Sequence, residues 1–166
     1  MAQKKKIDLN DLVNKIEELT KSRVAGGEVV SLDDYRQLVQ KKNTKTLLVI
    51  DDDETMRNAL KRAFEADGMK VLAAADGTQL SDVVDDTAVD LIILDIGLPW
   101  INGYELAKLM KEHDDLKSIP LVFISGKTGE LDVRRGFEVG ADDYIKKPFD
   151  IEKIRKTVRT LLHLTA

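Results

Sequence analysis

The stretch LLVIDDDET, residues 47–55, closes an apolar run with three consecutive carboxylates, Asp51, Asp52 and Asp53, and Glu54 directly behind them. Carboxylates this close repel one another, and a buried strand has no use for them; a cation or a phosphoryl group would balance the charge. Further along, Asp95 follows LIIL, Ser125 follows LVFI, and Lys146, Lys147 and Pro148 follow DDYI. Carboxylates in a shallow polar cleft suit a hard cation such as Mg²⁺, which takes oxygen ligands and keeps several waters. A lysine and a serine hydroxyl opposite would suit phosphoryl oxygens. Asp95 is then a carboxylate nucleophile, able to attack phosphorus once metal and lysine neutralise the charge between them. Each residue alone is a weak sign. An Asp at a strand end is commonly a cap or turn residue, Ser125 before Gly126 is ordinary turn chemistry, and Lys147–Pro148 could be a loop. Four compatible groups at four strand ends make the signal.

The elements that must position these groups alternate from residue 46 onward. Short apolar runs at 46–50, 70–75, 90–95, 120–125 and 142–146 read as strands. Between them lie amphipathic segments with helical spacing. Met56, Leu60, Ala63 and Phe64 share a face before Gly68, a helix stop. Leu80, Val83 and Val84 mark a second helix, and Tyr104, Leu106, Ala107, Leu109 and Met110 a third. Leu131, Val133, Phe137 and Val139 suggest a fourth, and Ile151, Ile154, Val158, Leu161 and Leu162 a fifth. Continuous apolar strands argue for a parallel sheet covered on both faces. In such doubly wound sheets, ligands bind beyond the carboxyl ends of the strands, where the acidic, hydroxyl and lysine groups stand.

Residues 1–44 do not fit the repeat. Leu9, Leu12, Val13, Ile16 and Leu19 lie on one helical face, AGGE at 25–28 is a break, and Ser31 and Asp34 have capping-box spacing. Two short helices joined by a turn are expected, then a polar link at 42–45. This segment carries nine Lys/Arg and seven Asp/Glu, whereas the remainder carries seventeen and twenty-three. The acidic balance of the main domain disfavours non-specific nucleic-acid binding. With no cysteine there is no disulfide framework or thiolate zinc site. His113 and His163, far apart on polar stretches, read as solvated surface. No apolar run approaches the roughly 18 residues of a membrane span, and the basic start lacks an apolar segment behind it, so a cytoplasmic protein is expected.

Residues 46–164 resemble the receiver domain of the two-component response-regulator family. The likeness rests on VIDDDETMR, LIILDIGLPWINGYEL, LVFISG and GADDYIKKPF, and on the spacing from Asp51/Asp52 to Asp95, Ser125 and Lys147. It implies a flavodoxin-like five-stranded parallel sheet in order 2-1-3-4-5, with residues 1–44 a helical N-terminal extension. It also implies Asp95 as phosphoacceptor and metal ligand, Asp52 as a direct Mg²⁺ ligand, Asp51 acting mostly through water, and the Gly97 carbonyl as a third protein ligand. Ser125 would bond a phosphoryl oxygen, Lys147 would bridge to the carboxylate, and Tyr144 would be the aromatic that turns inward with Ser125. A cis Lys147–Pro148 peptide is part of the pattern. Asp53 falls outside the acidic pair and reads as a helix-start residue. Ser stands where Thr is commoner, and Lys127 stands where family side chains overhang the site.

Two other readings stay open. In the first, Asp51 and Asp53 are the nucleophile and acid–base of a haloacid-dehalogenase-type phosphohydrolase, although the helix after Asp53 leaves no room for that family's insert and Asp95 and Lys147 go unexplained. In the second, the receiver fold is an adaptor that never sees phosphate. The expected donor is a histidine kinase or histidine phosphotransfer protein, and the expected output is protein–protein contact. The chain ends soon after Leu164, so direct DNA binding is not expected, and Lys153, Arg155, Lys156 and Arg159 read as a solvated helix face. The apolar stripe of the N-terminal segment would pack on its own domain, dock on a partner, or form a homodimer through residues 8–42.

Overall fold

The computed structural model describes residues 13, 14, 16, 32, 33, 36, 44–86 and 88–163. The chain divides into two compact units, residues 1–43 and 44–166. In the first, Val13, Asn14, Ile16, Leu32, Asp33 and Arg36 are helical, and Val13, Ile16 and Leu32 are exposed. Leu9, Leu12, Leu19, Ser31 and Asp34, expected to complete those helices, lie outside the described residues.

In the second unit, five strands alternate with five helices: β1 Thr46–Ile50, α1 Glu54–Ala66, β2 Lys70–Ala74, α2 Gly77–Asp86, β3 Leu91–Asp95, α3 Gly103–Glu112, β4 Leu121–Ser125, α4 Glu130–Glu138, β5 Asp143–Lys146 and α5 Ile151–Leu161. All pairings are parallel and the order is β2-β1-β3-β4-β5. β1, β3 and β4 are buried at every residue, as central strands covered on both faces must be. Strand periodicity divides the core in two. Leu47, Val49, Leu91, Ile93, Val122, Ile124 and Ile145 pack with Leu60 and Phe64 of α1 and Ile154 and Val158 of α5. Leu48, Ile50, Ile92, Leu94 and Phe123 pack on the other face with Leu80, Leu106, Ala107 and Met110.

Local chemistry sets the helix ends. The Asp53 carboxylate accepts from the amides of Thr55 and Met56 at the start of α1, Asn102 does the same for Tyr104 in α3, and Asp150 for Glu152 in α5. Gly68 follows α1 at φ 81°, the left-handed stop expected there. Not every apolar helix residue is buried. Leu109 is exposed and Leu131 is 79% exposed; positions two apart on a helix are turned by roughly 200°, so Leu131 lies opposite Val133, which packs on the core. Phe137 is likewise exposed. The fourth helix exists, but with a narrower apolar face than its composition suggests.

Candidate functional site

The strand periodicity that divides the core also assembles the site. Ile50 of β1 pairs with Leu94 of β3, so the next residues, Asp51 and Asp95, stand side by side. Both extend the row of side chains that faces α1 and α5 lower in the sheet. Lys147 extends the same row beyond Ile145, and its amide donates to the Ser125 carbonyl at 2.8 Å, tying the ends of β4 and β5 together. The Lys147–Pro148 peptide is cis, as expected. From there the Lys147 ammonium lies 3.2 Å from Asp51 Oδ2 and 3.2 Å from Asp95 Oδ2.

The carboxylates differ in setting. Asp51 is 2% exposed and Asp95 8%, while Asp52 is exposed to solvent. Each buried carboxylate spends one oxygen on its own loop: Asp51 Oδ1 accepts from the Asp53 amide at 2.9 Å, and Asp95 Oδ1 from the Gly97 amide at 3.1 Å. One carboxylate oxygen from each of Asp51, Asp52 and Asp95 falls within 4.8 Å of the others. Three anionic oxygens at that spacing, one of them open to water, fit a small hard cation that retains part of its hydration shell. Ser125 is buried at the adjoining strand end, and its hydroxyl oxygen accepts from the Lys127 amide at 3.0 Å. Tyr144 is turned inward, with its hydroxyl donating to the Lys127 carbonyl at 2.6 Å.

Burial pushes Asp51 above the ordinary carboxylate value of 3.8, and the neighbouring Asp95 charge adds to it; the Asp53 amide and Lys147 pull the other way without prevailing. Burial alone would lower Lys147, but the charges of Asp51 and Asp95 outweigh it and hold its pKa above that of free lysine. The folded chain therefore holds the Asp51 proton more tightly than the unfolded chain does. That contribution is fully present below the unfolded carboxylate's pKa and is lost as pH rises through the higher folded value. At neutral pH the charged Asp51 works against the metal-free fold. We expect Asp51→Asn, which retains an acceptor for the Asp53 amide, to melt higher than the unchanged chain at neutral pH in chelator. The difference should shrink toward acid pH, and added Mg²⁺ should stabilise the variant less. A lower neutral-pH melting temperature for the variant would contradict this balance.

Three residues shape the site through contacts that the sequence did not reveal. Arg57, one turn into α1, donates from Nη1 to the Asp51 carbonyl at 2.8 Å, setting a cation beside the acidic loop. Trp100 donates from its indole to the Ala75 carbonyl at 3.1 Å. Gly136 of α4 leaves room for the Tyr144 ring. A cation following an acidic cluster was visible in the sequence; the other two depend on segments brought together by the fold. Lys127 is exposed, with its ammonium 6.0 Å from the centre of the Tyr104 ring. Asp53 caps α1 as expected. His113 and His163 are exposed. The α5 cations are not uniformly solvated: Arg155 and Arg159 lie 3.0 and 3.6 Å from Asp67, so that part of the basic face ties α5 to the end of α1. A groove of about 530 Å³, lined by Met56, Ala59, Leu60, Pro148, Phe149 and Ile151, opens beside Lys147. Among the described residues no helix is long and apolar enough to cross a membrane.

A parallel sheet in this order, with carboxylates at the ends of β1 and β3 facing a lysine from the end of β5, defines a class of phosphorylation-controlled signalling domains. The response regulator receiver domain family matches residues 47–159, and the chain belongs to it. It is 38% identical over 122 residues to the aerobic respiration control protein ArcA of Escherichia coli (strain K12), covering 74% of this chain and 50% of ArcA. It is 36% identical over 121 residues to the phosphate regulon transcriptional regulatory protein PhoB of Pseudomonas aeruginosa, covering 73% of this chain and 53% of PhoB. The chain thus spans about half the length of these curated relatives. Among solved structures, the chemotaxis response regulator CheY4 of Vibrio cholerae superposes with a TM-score of 0.67 at 26% identity, covering 72% of this chain and 99% of that one. The receiver domain of the Francisella response regulator 1452 gives 0.67 at 27% identity, covering 72% and 98%.

Proposed function

We propose that the chain accepts a phosphoryl group on Asp95 from the phosphohistidine of a histidine kinase or histidine phosphotransfer protein, and relays the change by protein contact. The observation that carries this reading is Lys147, 3.2 Å from both Asp51 and Asp95 in a pocket where three carboxylate oxygens converge. Asp51, Asp52, Asp95 and the Gly97 carbonyl would hold Mg²⁺, which when bound neutralises the charge between the carboxylates and the incoming phosphoryl oxygens. Asp95 attacks phosphorus through a carboxylate oxygen. An O–P bond forms, the donor's N–P bond breaks, and the electron pair stays with the departing imidazole. Lys147 and the Ser125 hydroxyl meet the phosphoryl oxygens, and water later hydrolyses the acyl phosphate. In this role the chain catalyses nothing beyond its own phosphorylation and dephosphorylation.

Tyr144 is the switch residue of this reading, because its hydroxyl holds the Lys127 carbonyl while the Lys127 amide donates to Ser125. A phosphoryl group that draws Ser125 toward it would thereby pull on the loop before α4. The donor protein would approach across the apolar groove bordering Lys147, and a cytoplasmic setting follows from a kinase partner of that kind. The test is incubation of the full chain with acetyl phosphate and Mg²⁺. One base-labile phosphoryl group per chain is expected by intact mass, and none when Mg²⁺ is chelated. A chain that stays unlabelled at saturating Mg²⁺, or that labels equally without it, overturns the proposal.

A further inference from the structure

We infer that Trp100, the chain's single tryptophan, is a positioning residue of the phosphoryl-transfer site, acting as a strap that holds the Gly97 loop over the carboxyl end of β1. The inference rests on the function proposed above and concerns how that site is held ready for metal.

The sheet order is the first ground. β1 lies between β2 and β3, and Trp100 belongs to the loop that follows β3. Its indole Nε1 nevertheless donates to the carbonyl of Ala75, just beyond the end of β2. The side chain therefore spans the strand that delivers Asp51 and Asp52. The neighbouring carbonyl, Ala74, accepts from the Asp51 amide at 3.2 Å. Two consecutive carbonyls, Ala74 at the end of β2 and Ala75 just after it, thus accept from the acidic loop and from the Gly97 loop. β2 brings no chemistry of its own to the site and serves as the common anchor.

The second ground is the way the loop is closed. At its start, the Gly97 amide donates to Asp95 Oδ1. At its far end, the Gly103 amide donates to the Ile96 carbonyl at 3.0 Å, and a Cβ on Gly103 would lie 2.4 Å from Ile96 Cα. Those contacts fix the two ends of the loop, and Trp100 ties its outer part to another strand. The indole also rests on the start of α2, where a Cβ on Gly77 would come within 3.3 Å of the ring. It packs against the core cluster shared by α2 and α3. A large planar side chain with one polar atom is well suited to such a joint, since it buries much area and directs a single hydrogen bond.

A loop held this way would offer the Gly97 carbonyl to an incoming cation without first having to be ordered. Trp100 should therefore act on Mg²⁺ affinity rather than on the rate of the loaded site. The experiment uses the full chain with Trp100→Phe, which keeps a ring against Gly77 and removes the hydrogen bond, and Trp100→Ala, which removes both. Mg²⁺ binding is measured by calorimetry, labelling by acetyl phosphate is followed across Mg²⁺ concentration, and melting is recorded in chelator. We expect the Mg²⁺ dissociation constant to rise about 3-fold in Trp100→Phe and about 10-fold in Trp100→Ala. The half-saturating Mg²⁺ for labelling should rise in step, while the saturated rate stays within about twofold. In the unchanged chain the Trp100 fluorescence should respond to Mg²⁺. A residue that served only packing would lower the melting temperature and leave the Mg²⁺ constant alone; that outcome in Trp100→Phe overturns the inference, even if Trp100→Ala fails to fold. If the unchanged chain binds no Mg²⁺, the proposed function fails and this inference falls with it.

Discussion

Asp95→Asn should take up no phosphoryl group from acetyl phosphate at any Mg²⁺ concentration, whereas Asp51→Asn should still be labelled, more slowly. Both carboxylates touch Lys147 at 3.2 Å, so proximity to the lysine does not choose between them. Their surroundings do. Asp51 is deeply buried, with its carbonyl held by Arg57 and one carboxylate oxygen by the Asp53 amide. Burial also holds its pKa up, so its charged form is disfavoured where it stands. Asp95 is the more exposed of the two, at 8%, and lies beside the exposed Gly97. An asparagine amide at position 95 has no carboxylate oxygen to form an acyl phosphate, so labelling should fall below detection rather than merely slow. At position 51 the same change would remove one of the proposed metal-holding groups, with an expected effect of about 10- to 100-fold on metal affinity. The phosphohydrolase reading, with Asp51 as nucleophile and Asp53 as acid–base, requires the reverse pattern. Retained labelling in Asp95→Asn together with its loss in Asp51→Asn would transfer the role to Asp51.

Much of this site was legible before any coordinates because its residues follow directly on apolar runs. Each run must be buried on both faces, so its end must emerge at the rim, and the residue that follows is delivered there with little freedom. That is why Asp51, Asp95, Ser125 and Lys147 could be gathered from four separate stretches. Helix starts were readable for a related reason: Asp53 satisfies amides two and three residues away. What escaped were contacts created by the sheet order itself. Trp100 reaches Ala75, 25 residues earlier, because β1 lies between β2 and β3. The depth of Asp51 relative to Asp52 was equally hidden, since a run of three aspartates does not reveal which one continues the inward row of β1. Helix faces were the other weak point. Leu131 and Leu109 raise the apolar content of their helices without facing the core, and composition alone cannot separate them from residues that do.

Gly136→Ala should destabilise the chain, and the same substitution should become stabilising once Tyr144 is removed. A glycine inside a helix costs about 1 kcal/mol relative to alanine, so Gly136 in α4 works against the helix that contains it. The packing explains its presence. A Cβ at position 136 would lie 2.7 and 3.1 Å from two atoms of the Tyr144 ring and 3.2 Å from the Phe123 ring. No carbon pair tolerates the shortest of these, so the Tyr144 ring has to shift from its inward position. It would then give up its hydrogen bond to the Lys127 carbonyl and its place beside Phe123, where the ring centres are 5.9 Å apart. Overpacking of this kind costs about 1–3 kcal/mol, and the lost hydrogen bond adds about 0.5–1.5 kcal/mol. Set against the gain in helix propensity, the net loss in urea unfolding should be about 0.5–3.5 kcal/mol. In a Tyr144→Ala background the closest obstruction is gone and the Phe123 ring, 3.2 Å away, can yield into the vacated space, so Gly136→Ala should stabilise by up to about 1 kcal/mol. The difference between the two backgrounds is the coupling between positions 136 and 144. For the proposed switch, Gly136 is then what lets Tyr144 occupy its inward state, and Gly136→Ala should bias the tyrosine away from it. Equal effects of Gly136→Ala in both backgrounds would remove Tyr144 from the explanation and leave the glycine answering to Phe123 alone.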